Sequence, residues 1–239
     1  MRRLIEKIEG TLDPRKLVRQ TLWYSVHRFS IRDRKLADQY ISQSEVRKLH
    51  LGCGWNLLPG WLNMDYLPRC REALYLDARR PFFFHDETFD YIFSEHMIEH
   101  MAYNNGLNML GECHRVLKKG GTVRISTPDL SFLMKLYRDE KSSLQHEYIT
   151  WSNSTFLGGA PEDNEVFVIN NFMRNWGHTF IYDEATLRIA MTKSGFTDIT
   201  KCDLQRSMND ELCNLENLTR IPRRFLEMET ITLEGTKLS

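Results

Sequence analysis

The stretch Leu49–Asp65, LHLGCGWNLLPGWLNMD, constrains this chain more than any other. One apolar run ends at Leu51 and the next begins at Trp61, with only the nine residues Gly52 to Gly60 between them. A strand running into a glycine turn opens many nucleotide-binding sheets, but there a helix follows the glycines and its N-terminus receives phosphate. No helix of useful length fits before Trp61. A parallel return is still possible. Five strand residues cover roughly 17 Å, and nine extended residues reach about 30 Å. The dinucleotide pattern G-x-G-x-x-G breaks at Leu57, and Asp65 stands only 13 positions past Gly52 where about 20 are wanted. The expectation is a pair of parallel strands with a bare crossover, binding a ligand without pyrophosphate. The uncovered sheet face then needs another cover. Leu22, Trp23 and Val26 of the N-terminal segment, helped by Leu57 and Leu58, are expected to supply it.

The rest of the chain fits such a sheet. Apolar runs at Val46–Leu51, Trp61–Asp65, Ala73–Asp77, Phe89–Ser94, Thr122–Ser126, Phe196–Cys202 and Met228–Lys237 read as strands. Helical spacing of Leu107, Leu110 and Leu117 predicts a helix over Asn104–Leu117, ended by Gly120 and Gly121. A second helix follows Asp183 as N-cap, carries Leu187, Ala190 and Met191 on one stripe, and stops at Gly195. Strands alternating with helices predict an α/β, doubly wound, Rossmann-like sheet, mostly parallel, with helices on both faces. Residues 1–44 read as an amphipathic helical extension, interrupted by Pro14. Residues 45–239 form the main domain. Residues 129–182 break its rhythm and are rich in aromatics and Asn (Trp151, Asn153, Phe156, Phe167, Asn170, Asn171, Phe172, Trp176). They read as a substrate-binding insertion above the sheet.

Composition narrows the partners. The 239-residue chain has no net charge, so there is no global case for nucleic acid. Residues 1–48 nonetheless hold twelve Lys/Arg against six Asp/Glu, and the remainder twenty against twenty-six. A basic arm on an acidic body suits a solvated helix face or a peripheral contact with an anionic membrane surface. Five cysteines, none in a C-x-x-C pair, point to free thiols in a reducing compartment. No apolar run approaches the roughly 18 residues that span a bilayer, and no signal peptide is read. The expected location is cytoplasmic.

In a parallel sheet all strand carboxyl ends lie on one edge, where ligands bind. Along that edge stand Gly52-Cys53-Gly54, Asp65, Asp77 and Ser94-Glu95-His96. Two carboxylates there suit a nucleoside, one for the ribose hydroxyls and one for an exocyclic amine. LHLGCGWN, NMD, LYLD, FDYIFSEHMIEH and HRVLKKGGTVRISTPDL, in this order, resemble class I S-adenosylmethionine (SAM) dependent methyltransferases. The nearest group is the type 11-like one, with many small-molecule and glycan enzymes. The similarity runs over residues 46–130 and resumes at GHTFIYDEATLRIAMTKSGF and ETITLEGTK. The resemblance implies SAM as cofactor. Gly52 and Gly54, with Leu51 and Cys53, would border its methionine part. Asp65 would hold the ribose hydroxyls beside Tyr66, Asp77 and Ala78 would contact the adenine, and Ser94, Glu95 and His96 would flank the methionine end. The sequence departs from the family at Trp55-Asn56, where many members have a third small residue.

His96-Met97-Ile98-Glu99-His100 also matches the H-x-x-E-H pattern of one metalloprotease class. A strand leading directly into it argues against a protease. His96, Glu99, His100 and His178 could together hold a divalent ion, as some methyltransferases do. The expectation here is local packing and no metal. His100 and His178 are the candidate acid–base residues, since an alcohol nucleophile benefits from a base near neutral pKa. No N-P-P-[YF] tetrapeptide follows the fourth strand, so planar nitrogens are not the expected target. The expected reaction is methyl transfer to a small-molecule or glycan hydroxyl, with a sugar or polysaccharide precursor as the expected acceptor. The alternative is a non-catalytic SAM-fold binding or partner subunit. Aromatics and Asn of 151–176 suit sugar faces and hydroxyls, or else form the insertion's own core.

Overall fold

The bare crossover closes as a parallel pair. In the computed structural model, which describes residues 31–138, 140–158 and 162–238, β1 (Lys48–Leu51) lies beside β2 (Leu62–Asp65), with Leu49 opposite Leu62 and Leu51 opposite Met64. β3 (Leu74–Tyr75) extends the sheet outward from β2. β4 (Phe89–Glu95) pairs with the other side of β1, and β5 (Leu117–Pro128) follows it, all parallel. β7 (Thr230–Thr236) enters antiparallel between β5 and β6 (Thr197–Lys201), giving the order β3-β2-β1-β4-β5-β7-β6. The doubly wound, mostly parallel sheet with one antiparallel strand near its end is the expected one, but among the described residues the helices that cover it pack on one face rather than on both.

The two sheet faces are covered by different means. Leu49, Leu51, Met64, Ile92, Val123 and Ile125 point to one face. There they meet α1 (Ile31–Gln43) through Ala37, α2 (Tyr103–Val116) through Met109, Leu110 and Cys113, and a helix at Glu184–Lys193 through Leu187 and Met191. Burial of these side chains, at roughly 25 cal/mol per Å2 of apolar surface, is what holds the helices there. Alternation along each strand turns His50, Phe93, Arg124 and Ser126 to the opposite face. His50 stacks on Phe93 there, with ring centroids 5.2 Å apart. The cover on this face, among the described residues, is irregular chain rather than helix. Leu58 and Trp61 of the crossover and Leu212 and Leu215 pack round Phe93. Leu22, Trp23 and Val26, expected to supply this cover, lie outside the described residues, as does most of the basic arm.

Arg124 fastens that irregular cover. Its side chain has no solvent exposure. It donates through Nε to Glu216 at 2.7 Å, through Nη1 to Glu234 at 2.6 Å and to the Arg206 carbonyl at 2.9 Å, and through Nη2 to the Asp203 carbonyl at 3.1 Å. Glu216 takes further donors from the Gln205 N–H and the Ser126 hydroxyl. A buried charge is tolerable only when paired and hydrogen-bonded in this way.

Local signals explain most element ends. Asp183 accepts from the Thr186 N–H as the expected N-cap, and Gly195 adopts φ +99° just past the helix. The glycine pair after α2 acts differently from expectation. The helix stops at Val116, Leu117 turns extended, and Lys118–Gly121 already belong to β5. Residues 129–182 contain three capped helices, α3 (Leu130–Leu136), α4 (Ser143–Phe156) and α5 (Glu165–Arg174). Their caps are Asp129, Ser142 with Gln145 as a capping box, and Asn164. The helix at Glu184–Lys193 is α6, and α7 spans Arg223–Glu229. Phe132, Tyr148, Ile149, Val168, Phe172 and Phe225 form a second core beneath α3 to α5 and α7. No helix among the described residues is long and apolar enough to cross a membrane, and all five cysteines are free.

Candidate functional site

The ends of β1, β2 and β3 enclose a cleft of about 550 Å3 lined by Leu51, Gly52, Asp65, Tyr66, Asp77 and Ala78, with Arg79, Met97, His100 and Met101. Each expected residue here comes from the last position of a parallel strand or the first few after it, which is why they converge. Gly52 has φ +73°, and a Cβ on it would come within 2.4 Å of Met97 Cγ. Its bareness thus admits the Met97 side chain over the turn. Gly54, with φ +53°, would meet nothing within 4 Å, so its requirement is the left-handed backbone alone. Cys53 sits outside the lining, buried, its thiol pushed up to about 12 by burial.

Asp65 ties the turn to β2. Its Oδ2 accepts from the Gly54 N–H at 2.8 Å and its Oδ1 from the Leu67 N–H at 2.6 Å. A carboxylate offers about four acceptor sites, so each oxygen keeps one for a ligand hydroxyl. Asp77 is more fully engaged. Arg79 donates to it from its backbone N–H, Nε and Nη2, and Arg80 approaches at 3.2 Å. Burial pushes the Asp77 carboxyl up, but the hydrogen bonds and charge of Arg79 outweigh it and hold it below its ordinary value. The Arg79 guanidinium also lies 4.5 Å above the Tyr66 ring. Sequence reading missed Arg79 and Met97, which carry no motif of their own.

Ser94, Glu95 and His96 do not line this cleft. Ser94 is buried in β4, and the Glu95 oxygens both accept from the Asn217 N–H at 3.1 Å. Burial pushes the Glu95 carboxyl up to about 7. His96 adopts a left-handed φ of +46°, an uncommon conformation for a non-glycine residue, which turns the chain out of β4. Its ring faces a second cavity, of about 1010 Å3, together with Glu99, His100, Phe156, Phe172, Trp176, His178, Arg220 and Glu229. His100 borders both cavities.

The loop after α5 carries His178 to that border. The Thr179 and Phe180 N–H groups both donate to the Glu99 carbonyl, at 2.7 and 3.1 Å. The His100 and His178 rings consequently stand edge to face, centroids 5.0 Å apart. His178 Nδ1 lies 2.7 Å from the Phe172 carbonyl. A carbonyl only accepts, so Nδ1 carries the proton and Nε2 the lone pair. Burial lowers the His178 pKa. Burial likewise sends His96 down to about 4, while Glu99, despite burial, is held at about 2 by His96 and the charge of His100.

The insertion's side chains divide between core and cavity. Phe156, Phe172 and Trp176 line the cavity, whereas Trp151 packs on Tyr148 and Phe225. Several Asn side chains bond within the insertion. Asn153 donates to the Asn164 carbonyl, and Asn170 to that of Val166. Arg220 and Glu229, from the C-terminal third, were not legible as site residues.

Glu229 is fully buried, receives the Tyr148 hydroxyl, and is pushed up to about 7 by burial. A raised carboxyl keeps its proton in the folded chain between pH 4.5 and 7, where the unfolded chain has released it, so stability is lost as pH rises through that window. Glu229→Gln keeps an acceptor for Tyr148 and removes this loss. Denaturation at both pH values should show the variant gaining about 3 kcal/mol on the parent between pH 4.5 and 7. An equal difference at both values would contradict the assignment.

Residues 49–125 match the family model described as a methyltransferase domain. No curated protein matches the chain. A SAM-dependent methyltransferase from Archaeoglobus fulgidus is similar in structure, with 16% identity, 98% of each chain covered and a TM-score of 0.49. Another from Thermotoga maritima, a possible histamine N-methyltransferase, shares 19% identity over 93% of this chain and 97% of that one, with a TM-score of 0.45. Haemonchus contortus phosphoethanolamine N-methyltransferase 2, in complex with SAM, shares 13% over 84% of this chain and 53% of its own, with a TM-score of 0.43. Residues 49–125 thus carry the sequence pattern of a methyltransferase domain.

Proposed function

We propose that the chain transfers the methyl group of SAM to a hydroxyl of a small-molecule or glycan acceptor held in the second cavity. One observation carries this reading: the two cavities adjoin, with His100 in the wall of both. SAM, when bound, supplies a methyl group already activated by its sulfonium. The chain's own residues then need only hold two partners in line and ease the loss of one proton. Asp65 has acceptor capacity left for ribose hydroxyls. Tyr66, Ala78 and Arg79 offer flat and apolar surface for the base, and Asp77 must release one of its arginine donors if it is to take the amine. The cavity rings of Phe156, Phe172 and Trp176 suit a sugar or other flat face, and His178, its Nε2 unprotonated, faces the acceptor oxygen.

Asp65→Ala removes charge-assisted hydrogen bonds and should weaken SAM by about 1.5–3 kcal/mol, roughly 10- to 100-fold. Calorimetry reads this directly, and unchanged affinity would remove Asp65 from the ribose site. The reaction itself is tested by transfer of labelled methyl from SAM to a panel of sugars, glycan precursors and small alcohols. SAM binding with transfer to none of them would favour a non-catalytic binding subunit.

A further inference from the structure

The junction of the two cavities holds an arrangement that acid–base chemistry does not use up. One ligating atom each from Glu99, His100 and His178 lie within 4.8 Å of one another. Glu99 has no solvent exposure. Its Oε2 accepts from the Thr127 hydroxyl at 3.0 Å, but its Oε1 has no hydrogen-bond partner among the described residues. His96 Nδ1 lies 3.3 Å from Oε1, within ion-pair distance. A buried carboxylate oxygen left so is costly unless a cation meets it.

His178 is prepared in the complementary way. Its Nδ1–H is held by the Phe172 carbonyl, which fixes the ring and leaves Nε2 as the donor atom. Ligating histidines are anchored through their second nitrogen in this manner.

We propose that Glu99, His100 and His178 bind one divalent first-row transition-metal ion where the cofactor cleft meets the second cavity. Two imidazoles and a carboxylate favour the manganese-to-zinc series over magnesium or calcium. Three protein ligands leave a coordination position open to an acceptor oxygen. The inference rests on reading the second cavity as the acceptor site, and it makes His100 and His178 act through the ion. The ion eases release of the hydroxyl proton to water. The oxygen then forms its bond to the methyl carbon as the carbon–sulfur bond breaks, and the electron pair stays on sulfur. This goes beyond the sequence expectation, in which no metal is held there.

The test uses the full chain, stripped with a chelator. It is titrated with Mn2+ and Zn2+ by calorimetry and with Co2+ by visible absorption. The expected result is one ion per chain, with His178→Ala and His100→Ala each weakening it at least tenfold. His100 is exposed, so its variant probes the site without threatening the core. Absence of saturable binding, or affinity within twofold of the parent in both variants, overturns the site. Titrating the same stripped protein with SAM separates the two readings. SAM binding without metal binding sinks the ion and leaves the methyltransferase reading standing, whereas failure to bind SAM sinks that reading itself.

Discussion

His178→Ala is expected to bind SAM within about twofold of the parent while turnover falls by about 10²- to 10⁴-fold, whether Nε2 takes the acceptor proton itself or holds the ion that eases its release. The split follows from where the residue sits. His178 lines the second cavity and is absent from the walls of the cofactor cleft. Its loop is held by backbone bonds from Thr179 and Phe180 to Glu99, which a side-chain truncation leaves in place. What disappears is the nitrogen aimed at the acceptor. Calorimetry with SAM and single-turnover transfer of labelled methyl read the two halves separately. Transfer at the parental rate would remove His178 from the chemistry, and lost SAM affinity would show that the two cavities are not independent.

Arg124→Met should cost about 3–5 kcal/mol of folding stability, the penalty for removing one partner of a buried ion pair. Glu216 and Glu234 would then stand buried with no cation between them. The damage should also be local in a telling way. Asp203 and Arg206 give their carbonyls to Arg124, and Glu216 holds Gln205, so the 203–216 segment loses its tie to the sheet. Urea denaturation gives the cost, and amide exchange should speed up across 203–216 first. Replacing Arg124, Glu216 and Glu234 together by apolar residues should recover much of the loss, because no unpaired charge remains. A single substitution costing under about 1 kcal/mol would show the network to be dispensable.

Much of the fold was legible in local chemistry. The strands were readable because buried parallel strands are short apolar runs, and α6 because Asp183 and Gly195 mark its two ends. The cleft at the strand ends was readable for a topological reason. Residues just after parallel strands share one edge, so Asp65 and Asp77 had to meet once their strands were found. Three features escaped. The helix α4 of the insertion has a weak apolar stripe, and its clearest signal was the Ser142–Gln145 capping box rather than periodicity. Gly120 and Gly121 carry the usual mark of a helix end but lie inside a strand, because pairing with β4 and β7 extends β5 back to Leu117. The face cover at 203–216 is irregular chain, held by one buried arginine whose partners lie 79 to 110 residues away.

Sequence by itself determined where the strands lie along the chain, the bare crossover and the two carboxylates at the strand ends, because each is a statement about neighbouring residues. Only the tertiary structure decided which way each strand-end residue faces. It put Met97 in the space left by Gly52, turned His96 away from the cleft through one left-handed residue, and brought His178 against His100 from 78 positions away. Such meetings depend on packing across the sheet edge, where distance along the chain carries no information.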